Sequence, residues 1–366
     1  MQEEVVQGAV LREIGKPLEI NNQLNLRAPQ AGEVRVAMRA SGVCHSDLSV
    51  QNGIFDLGPT PVTLGHEGAG EVVAVGPDVK DVAVGDHVIL VWLPPCGSCK
   101  LCLHGQPQLC NEVWAARAGA PSPLTDDNGD IAVGFGVGAF AEETVVPAEA
   151  VVVIDKSVPF DIAALVGCGV MTGVGAVINA AKVEPGASVA VIGAGGVGIN
   201  VIQAAKLSGA TTIAAIDRLE SKLSIARKFG ATHAFPAEAA GEAAKDLTAG
   251  AGFDYVFEVV GRSSTIRQAW DLTRRGGTTV IVGGGSSEDV VEFNAGELFS
   301  SERKLIGSIY GSADVRVDFH RVLNLWKAGL LDLEGLVSNE IELKDINSAL
   351  EAIRRGEAVR TIIRFS

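Results

Sequence analysis

The sequence predicts a chain of mixed class: a β-rich domain interrupted by an inserted α/β unit with a parallel sheet. Three observations predict it. The 366 residues exceed one ordinary domain, the apolar pattern changes from strand alternation to a strand, turn, helix rhythm near residue 170, and a last strand has no linker of its own. With 47% hydrophobic residues and a mean hydropathy of +0.27, the chain can offset its ordering entropy by burial, so disorder is excluded.

From about residue 5 to 155, alternating runs at Glu33–Met38, Glu71–Val75, Asp86–Val91, Thr144–Val146 and Val151–Ile154 lie between Gly and Pro turns and read as strands. Asn111–Gly138 breaks this pattern. It is poor in periodicity and rich in Gly, Ala and Pro, and at that length it reads as a functional loop. Beyond 170 come a strand at Ser188–Ile192, a helix at Gly198–Leu207, a strand at Thr212–Ile216 and a helix at Leu219–Phe229. Strands at Tyr255–Glu258 and Thr278–Val282 continue a βαβ series, which requires parallel pairing. The tail carries helices at Val317–Ala328 and Ile346–Arg355 and a strand at Arg360–Phe365 that returns to the first domain. The expected domains are therefore 1–169 with 310–366, and an inserted 170–309.

Thirty basic against 44 acidic residues leave a net charge of −14, which repels nucleic-acid phosphates and anionic lipid. The basic runs are pairs such as Arg274-Arg275 and Arg354-Arg355, so neither partner is expected. Met1–Val10 carries Glu3 and Glu4 and no basic start before an apolar stretch, so a secretory signal is not expected and the cytoplasm is. The apolar window Val189–Ala205 is Gly-rich and shorter than the roughly 20 residues of a membrane span, and it reads as buried core.

After the strand ending at Ile192 comes Gly193-Ala194-Gly195-Gly196-Val197-Gly198. Between strand and helix, such glycines permit a tight turn and bring backbone N–H groups onto a pyrophosphate. Asp217, at the end of the next strand, stands where an acid binds the adenosine ribose hydroxyls. Its charge disfavours a 2′-phosphate, so NAD is expected over NADP, although Arg218 beside it is a group that can accept that phosphate.

Cys96, Cys99, Cys102 and Cys110 form a compact string within a lobe at 94–112. Four thiolates close a tetrahedral structural zinc site, with iron–sulfur ligation as the rival reading. His104 within the string reads as a surface residue. The other two cysteines, Cys44 and Cys168, stand in Gly42-Val43-Cys44-His45-Ser46-Asp47 and Gly167-Cys168-Gly169, with Gly65-His66-Glu67 between them in sequence. Two thiolates and an imidazole suit a catalytic zinc with one open position; spacing alone leaves buried structural thiols as the other reading.

These segments resemble the zinc-dependent medium-chain alcohol dehydrogenases over essentially the whole chain. Gly65-His66-Glu67 with Gly70, Gly76 and Val79, the four-cysteine string, Gly167-Cys168-Gly169-Val170, Glu258-Val259-Val260-Gly261-Arg262 and Arg360-Thr361-Ile362-Ile363 carry the likeness. It is nearest to class III-like and actinobacterial-type members with a long loop after the structural lobe. The resemblance implies a GroES-like catalytic domain with an inserted Rossmann doubly wound sheet, two zinc ions per chain, NAD, and a small alcohol or aldehyde substrate.

By position it implies Cys44, His66 and Cys168 as ligands of the catalytic zinc. Ser46 touches the alcohol and passes its proton toward the ribose, Asp47 holds His66, and Glu67 sits behind the metal. His45 and Arg360 meet the pyrophosphate, Asp217 and Lys222 the adenosine ribose, Thr172 and Val197 the nicotinamide, and Val260 lies on the cofactor side. One departure is Ser49, where members that relay the proton onward often have histidine. Phe55, Trp92, Trp114 and Phe140 are the expected substrate pocket, suiting benzylic, allylic or medium-chain alcohols. The alternatives are a dehydrogenase of a thiol–formaldehyde adduct, whose carboxylate Arg117 would hold although Trp114 stands where such a basic residue is expected, and a nicotinoprotein that keeps its NAD. The resemblance also implies a homodimer, or a tetramer, paired through an edge strand around Ile306–Tyr310.

Overall fold

The computed structural model describes residues 3–366; Met1 and Gln2 of the N-terminal stretch lie outside the described residues. The chain forms two compact units. The first holds the chain through Cys168, Asp314–Asn324 and Leu333–Ser366, and the second holds Gly169–Ala313 and Leu325–Asp332.

The first unit contains β1 (Glu4–Leu11), β2 (Glu19–Leu26), β3 (Glu33–Val43), β4 (Val62–Thr63), β5 (Glu67–Val75) and β6 (His87–Leu90). It continues with β7 (Leu124–Asp126), β8 (Gly129–Val133), β9 (Glu143–Pro147) and β10 (Val151–Ile154). Strands β1, β2, β7, β8 and β4 close a small barrel around Val6, Val10, Leu24, Leu26, Leu124 and Ile131. Beside it, β3 is the hub of a second sheet: β5 and β9 pair antiparallel with it, and its even positions Val34, Val36, Met38 and Ala40 are all buried. That alternation is what makes β3 a strand, since successive side chains fall on opposite faces. Each of the two valines and the methionine contributes about 1.5–3 kcal/mol on burial.

Asn111–Gly138 is not the loop its composition suggests. It folds into a helical turn, Glu112–Ala115, and the β7–β8 hairpin that completes the barrel. Strands of three and five residues are too short to show a period, so only their pairing reveals them.

The second unit is a six-stranded sheet of β11 (Ser188–Ile192), β12 (Thr212–Asp217), β13 (His233–Pro236), β14 (Phe253–Glu258), β15 (Thr273–Ile281) and β16 (Lys304–Gly307). All its pairings are parallel, in the order β13-β12-β11-β14-β15-β16. The order reverses between β11 and β14, the position at which doubly wound sheets bind ligands outside the carboxyl ends of the strands. In the first unit, β17 (Val337–Ile341) and β18 (Arg360–Arg364) complete the sheet, with β18 antiparallel to β3.

The chain passes between units inside a helix, Phe160–Ala181, that the sequence reading did not find. With a mean hydropathy of 1.9 it is long and apolar enough to cross a membrane, but 89% of its apolar window is buried within the fold. The window Val189–Ala205 is split between β11 and the helix Gly196–Leu207, and most of it is buried.

Candidate active site

Cys44 follows β3 directly and caps the helix His45–Gln51, His66 immediately precedes β5, and Cys168 lies in a π-helical turn, Val166–Val170. Single π turns recur at functional positions because they re-aim one side chain. The ligand atoms of Cys44, His66, Cys168 and Glu67 all fall within 4.8 Å of one another, and all four residues are buried. Asp47, fully buried, organises the group. One carboxylate oxygen accepts from the Cys44 N–H at 3.0 Å, and the other accepts from the Gly65 N–H at 3.0 Å and meets His66 Nδ1 at 3.2 Å. With Nδ1 held in this way, Nε2 is the nitrogen left to bind a cation.

Electrostatics mark the same cluster. Its hydrogen bond with Cys168 and the adjacent His66 charge hold the Cys44 thiol well below its ordinary pKa, against burial; the same bond pushes Cys168 up. Burial works against the His66 charge, yet Asp47 and Cys44 raise its pKa well above the usual value. Burial pushes Glu67 up to about 7 despite Arg360. The Glu67 carboxylate pairs with Arg360 Nη1 at 3.1 Å, so Glu67 backs the group while two sulfurs and one imidazole remain as donors. Two soft thiolates and a nitrogen at this separation, with no disulfide between them, fit zinc. Arg360 itself is only 4% exposed, and its Nε is a buried donor without a hydrogen-bond partner.

Ser46 Oγ stands 3.8 Å from Cys44 Sγ, beside the cluster. One turn on, Ser49 Oγ lies 3.4 Å from Nδ1 of the exposed His45, so the serine at the departing position is joined to His45. Around His66 stand aromatic rings. Phe135 is tilted against the imidazole with centroids 4.3 Å apart, and Trp92 meets it edge-on at 6.1 Å. Trp114 donates its indole N–H to the Trp92 carbonyl at 3.0 Å.

Phe140, expected in the substrate pocket, is fully buried in the hydrophobic core with Ala9, Leu11 and Leu64, its backbone and ring filling the space beside Gly65. Phe55 packs at the edge of that same core. Phe135 is the aromatic residue that sequence reasoning missed. Its backbone lies in the left-handed region, φ 53° and ψ 16°, a conformation that the surroundings must impose on so bulky a residue. Arg117 is bound to buried Glu33 at 2.6 Å.

The four-cysteine lobe is also assembled. Cys96 Sγ and Cys102 Sγ are 4.0 Å apart, and Cys99 Sγ and Cys110 Sγ 3.9 Å. A tetrahedron of sulfurs around zinc has edges of about 3.8 Å from its bond length of about 2.3 Å, whereas a disulfide would place them near 2.05 Å. Backbone N–H groups of Ser98 and Cys99 lower the Cys96 thiol to about 6, favouring the thiolate. His104 turns away to the Lys100 carbonyl at 2.7 Å.

In the second unit the glycine loop leaves β11 with Gly193 at φ 97°, and the helix Gly196–Leu207 follows. A Cβ on Gly198 would run into the Gly193 carbonyl, and above Gly195 the space is open, a cradle suited to a phosphate. Val197, half-buried, lies against Gly173, the neighbour of buried Thr172. Both Asp217 oxygens accept backbone N–H groups, from Ala194 at 2.8 Å and Leu219 at 3.0 Å. Arg218 is exposed and Lys222 half-buried nearby. Val260 projects from the turn after β14.

Comparison with known proteins agrees with this geometry. The family described as alcohol dehydrogenase GroES-like domain matches residues 30–156, and that described as zinc-binding dehydrogenase matches residues 196–328. The alcohol dehydrogenase class-3 of Cereibacter sphaeroides is 35% identical, covering 98% of this chain and 99% of its own. The S-(hydroxymethyl)glutathione dehydrogenase of Paracoccus denitrificans is 34% identical, with the same coverage. The crystal structure of benzyl alcohol dehydrogenase from Acinetobacter calcoaceticus superposes with a TM-score of 0.90 at 32% identity, covering 99% of this chain and 100% of that one.

Proposed function

The chain belongs to the zinc-dependent medium-chain alcohol dehydrogenases, NAD-dependent oxidoreductases, and within that family we propose that it oxidises aromatic or allylic alcohols to aldehydes or ketones, reversibly. The observation that carries the reading is the buried group of Cys44, His66 and Cys168 beside Ser46 and under an aromatic wall of Phe135, Trp92 and Trp114. Zinc held by those three residues supplies positive charge that lowers the pKa of an alcohol, and NAD supplies the hydride acceptor.

The residues do the rest. Asp47 fixes the His66 tautomer, and Glu67 with Arg360 balances buried charge behind the thiolates. Ser46 Oγ takes the hydroxyl proton of the alcohol and hands its own onward, with His45 and Ser49 at the outer end of that path. Phe135 and Trp92 present flat apolar faces that suit an unsaturated carbinol and exclude water. We assign the pyrophosphate to the open cradle of Gly195 and Gly196. The adenosine ribose goes to Asp217 and Lys222, and the nicotinamide to Thr172 and Val197.

The Paracoccus relative's name favours a second reading, oxidation of a glutathione–formaldehyde adduct. The ion pair that occupies Arg117 supports the thiol-free substrate instead. The exposed apolar side chains Phe299, Leu305 and Ile309 near the unpaired edge of β16 support a homodimer built on that edge, and six free cysteines suit the reducing cytoplasm.

The test is metal analysis with kinetics. Wild type should hold two zinc ions per chain; Cys44→Ala should hold one, lose at least about a thousandfold in turnover, and still bind NADH. Near wild-type turnover in folded Cys44→Ala would reject the catalytic role. Rates with benzylic alcohols, compared with rates for formaldehyde plus glutathione, separate the two substrate readings.

A further inference from the structure

We infer that Glu258 is a positioning residue for NAD, its carboxylate fixing the turn Val259–Gly261 where the strand order of the sheet reverses. The inference rests on the NAD-dependent reading above. Glu258 is the last residue of β14 and is fully buried, yet its carboxylate has only neutral partners. It accepts the Val260 N–H at 2.9 Å, the Gly261 N–H at 2.9 and 3.1 Å, and the Thr265 hydroxyl at 2.7 Å. A buried acid is costly, and an ordinary strand-to-helix turn does not require one.

The position explains the cost. The Glu258 carbonyl accepts Val282 and Gly283 N–H groups at 2.8 and 3.0 Å, and the next residue, Val259, donates to the Ile192 carbonyl at 2.9 Å. One residue and its neighbour thus join the carboxyl ends of β11, β14 and β15. Gly261, at φ 80°, lies backbone to backbone against Gly283 and Gly284. A Cβ on Gly193 would meet Val260 Cγ2 at 2.9 Å, so the turn that Glu258 holds packs directly on the first glycine of the phosphate loop. Val260 is nevertheless 42% exposed, presented at the edge where a dinucleotide lies in such sheets. Releasing the carboxylate's grip would let this turn move relative to the glycine loop without disturbing the zinc ligands, which belong to the other unit.

The experiment titrates NADH fluorescence against full-length zinc-loaded wild type, Glu258→Gln and Thr265→Val, alongside zinc content and thermal unfolding without cofactor. Glutamine keeps the shape but turns an NH₂ toward N–H donors. Its NADH Kd should rise by about tenfold, and that of Thr265→Val by about threefold, as expected for one or two lost hydrogen bonds. Zinc content should stay at two per chain, and KM should rise for NAD while kcat at saturating NAD changes little. An NADH Kd within twofold of wild type in Glu258→Gln overturns the inference; if that variant does not fold, an unchanged Kd in Thr265→Val does so. A wild type that fails to bind NADH sinks the cofactor assignment itself and the inference with it.

Discussion

Asp217, proposed to bind the adenosine ribose, shows how one side chain is set before any ligand arrives: both oxygens accept backbone N–H groups, so its rotamer is fixed in advance. Asp217→Gly should weaken NADH binding by about tenfold or more and narrow the preference for NAD over NADP. The ratio of kcat/KM values for the two cofactors measures it, and an unchanged ratio rejects the assignment. Glu33 illustrates a stability role. Burial alone would raise its pKa, but Arg27, the Gln30 N–H and Arg117 bring it down to about 2. A depressed carboxylate contributes stability above its unfolded pKa of about 4.5, and that contribution is lost as pH falls toward 2. Glu33→Gln should therefore cost about 1.5–3 kcal/mol at pH 7, the loss of charge-assisted hydrogen bonds to the partly exposed Arg27 and Arg117, and progressively less below pH 4.5. Denaturant melts at both pH values would show whether the difference shrinks.

The four-cysteine lobe is an element without an apolar core. Leu101, Leu103 and Leu109 within it are exposed, so metal coordination must supply the cohesion that burial cannot. Cys102→Ser should remove one zinc per chain and lower the unfolding temperature by about 1–3 °C, roughly what 1–2 kcal/mol produces in a chain of this size. Metal analysis and calorimetry read both. Much at this scale was legible beforehand: Val151–Ile154, Ser188–Ile192 and Ile346–Arg355 were placed to the residue, because their patterns are regular and their ends carry Gly, Pro or charge. The helix Phe160–Ala181 was not, since it is apolar on nearly every face and broken by Gly167, Gly169, Gly173 and Gly175, leaving no 3.6-residue contrast to detect. The β7–β8 hairpin escaped for want of length. At the site, the cysteines and His66 are legible by their chemistry, whereas that Phe135 rather than Phe140 packs against His66 follows from backbone geometry that no residue type declares.

The whole molecule carries a net charge of −14, yet near the end of its parallel sheet it displays Phe299 at 86% exposure together with Leu305 and Ile309. Exposed apolar side chains of this kind, Leu305 on the edge strand and Ile309 just beyond it among them, are a liability in a solitary chain and an asset in a pair. For the homodimer proposed above, Phe299→Lys should shift the protein from dimer to monomer in light scattering after gel filtration, with zinc content unchanged. The free rim of β16 has a thermodynamic corollary. In the proposed pair, dissociation and unfolding are linked, so the melting midpoint of wild type should rise with protein concentration, while that of the lysine variant should stay level from nanomolar to micromolar solution. Vulnerability to heat then becomes a property of how crowded the molecules are with their own kind.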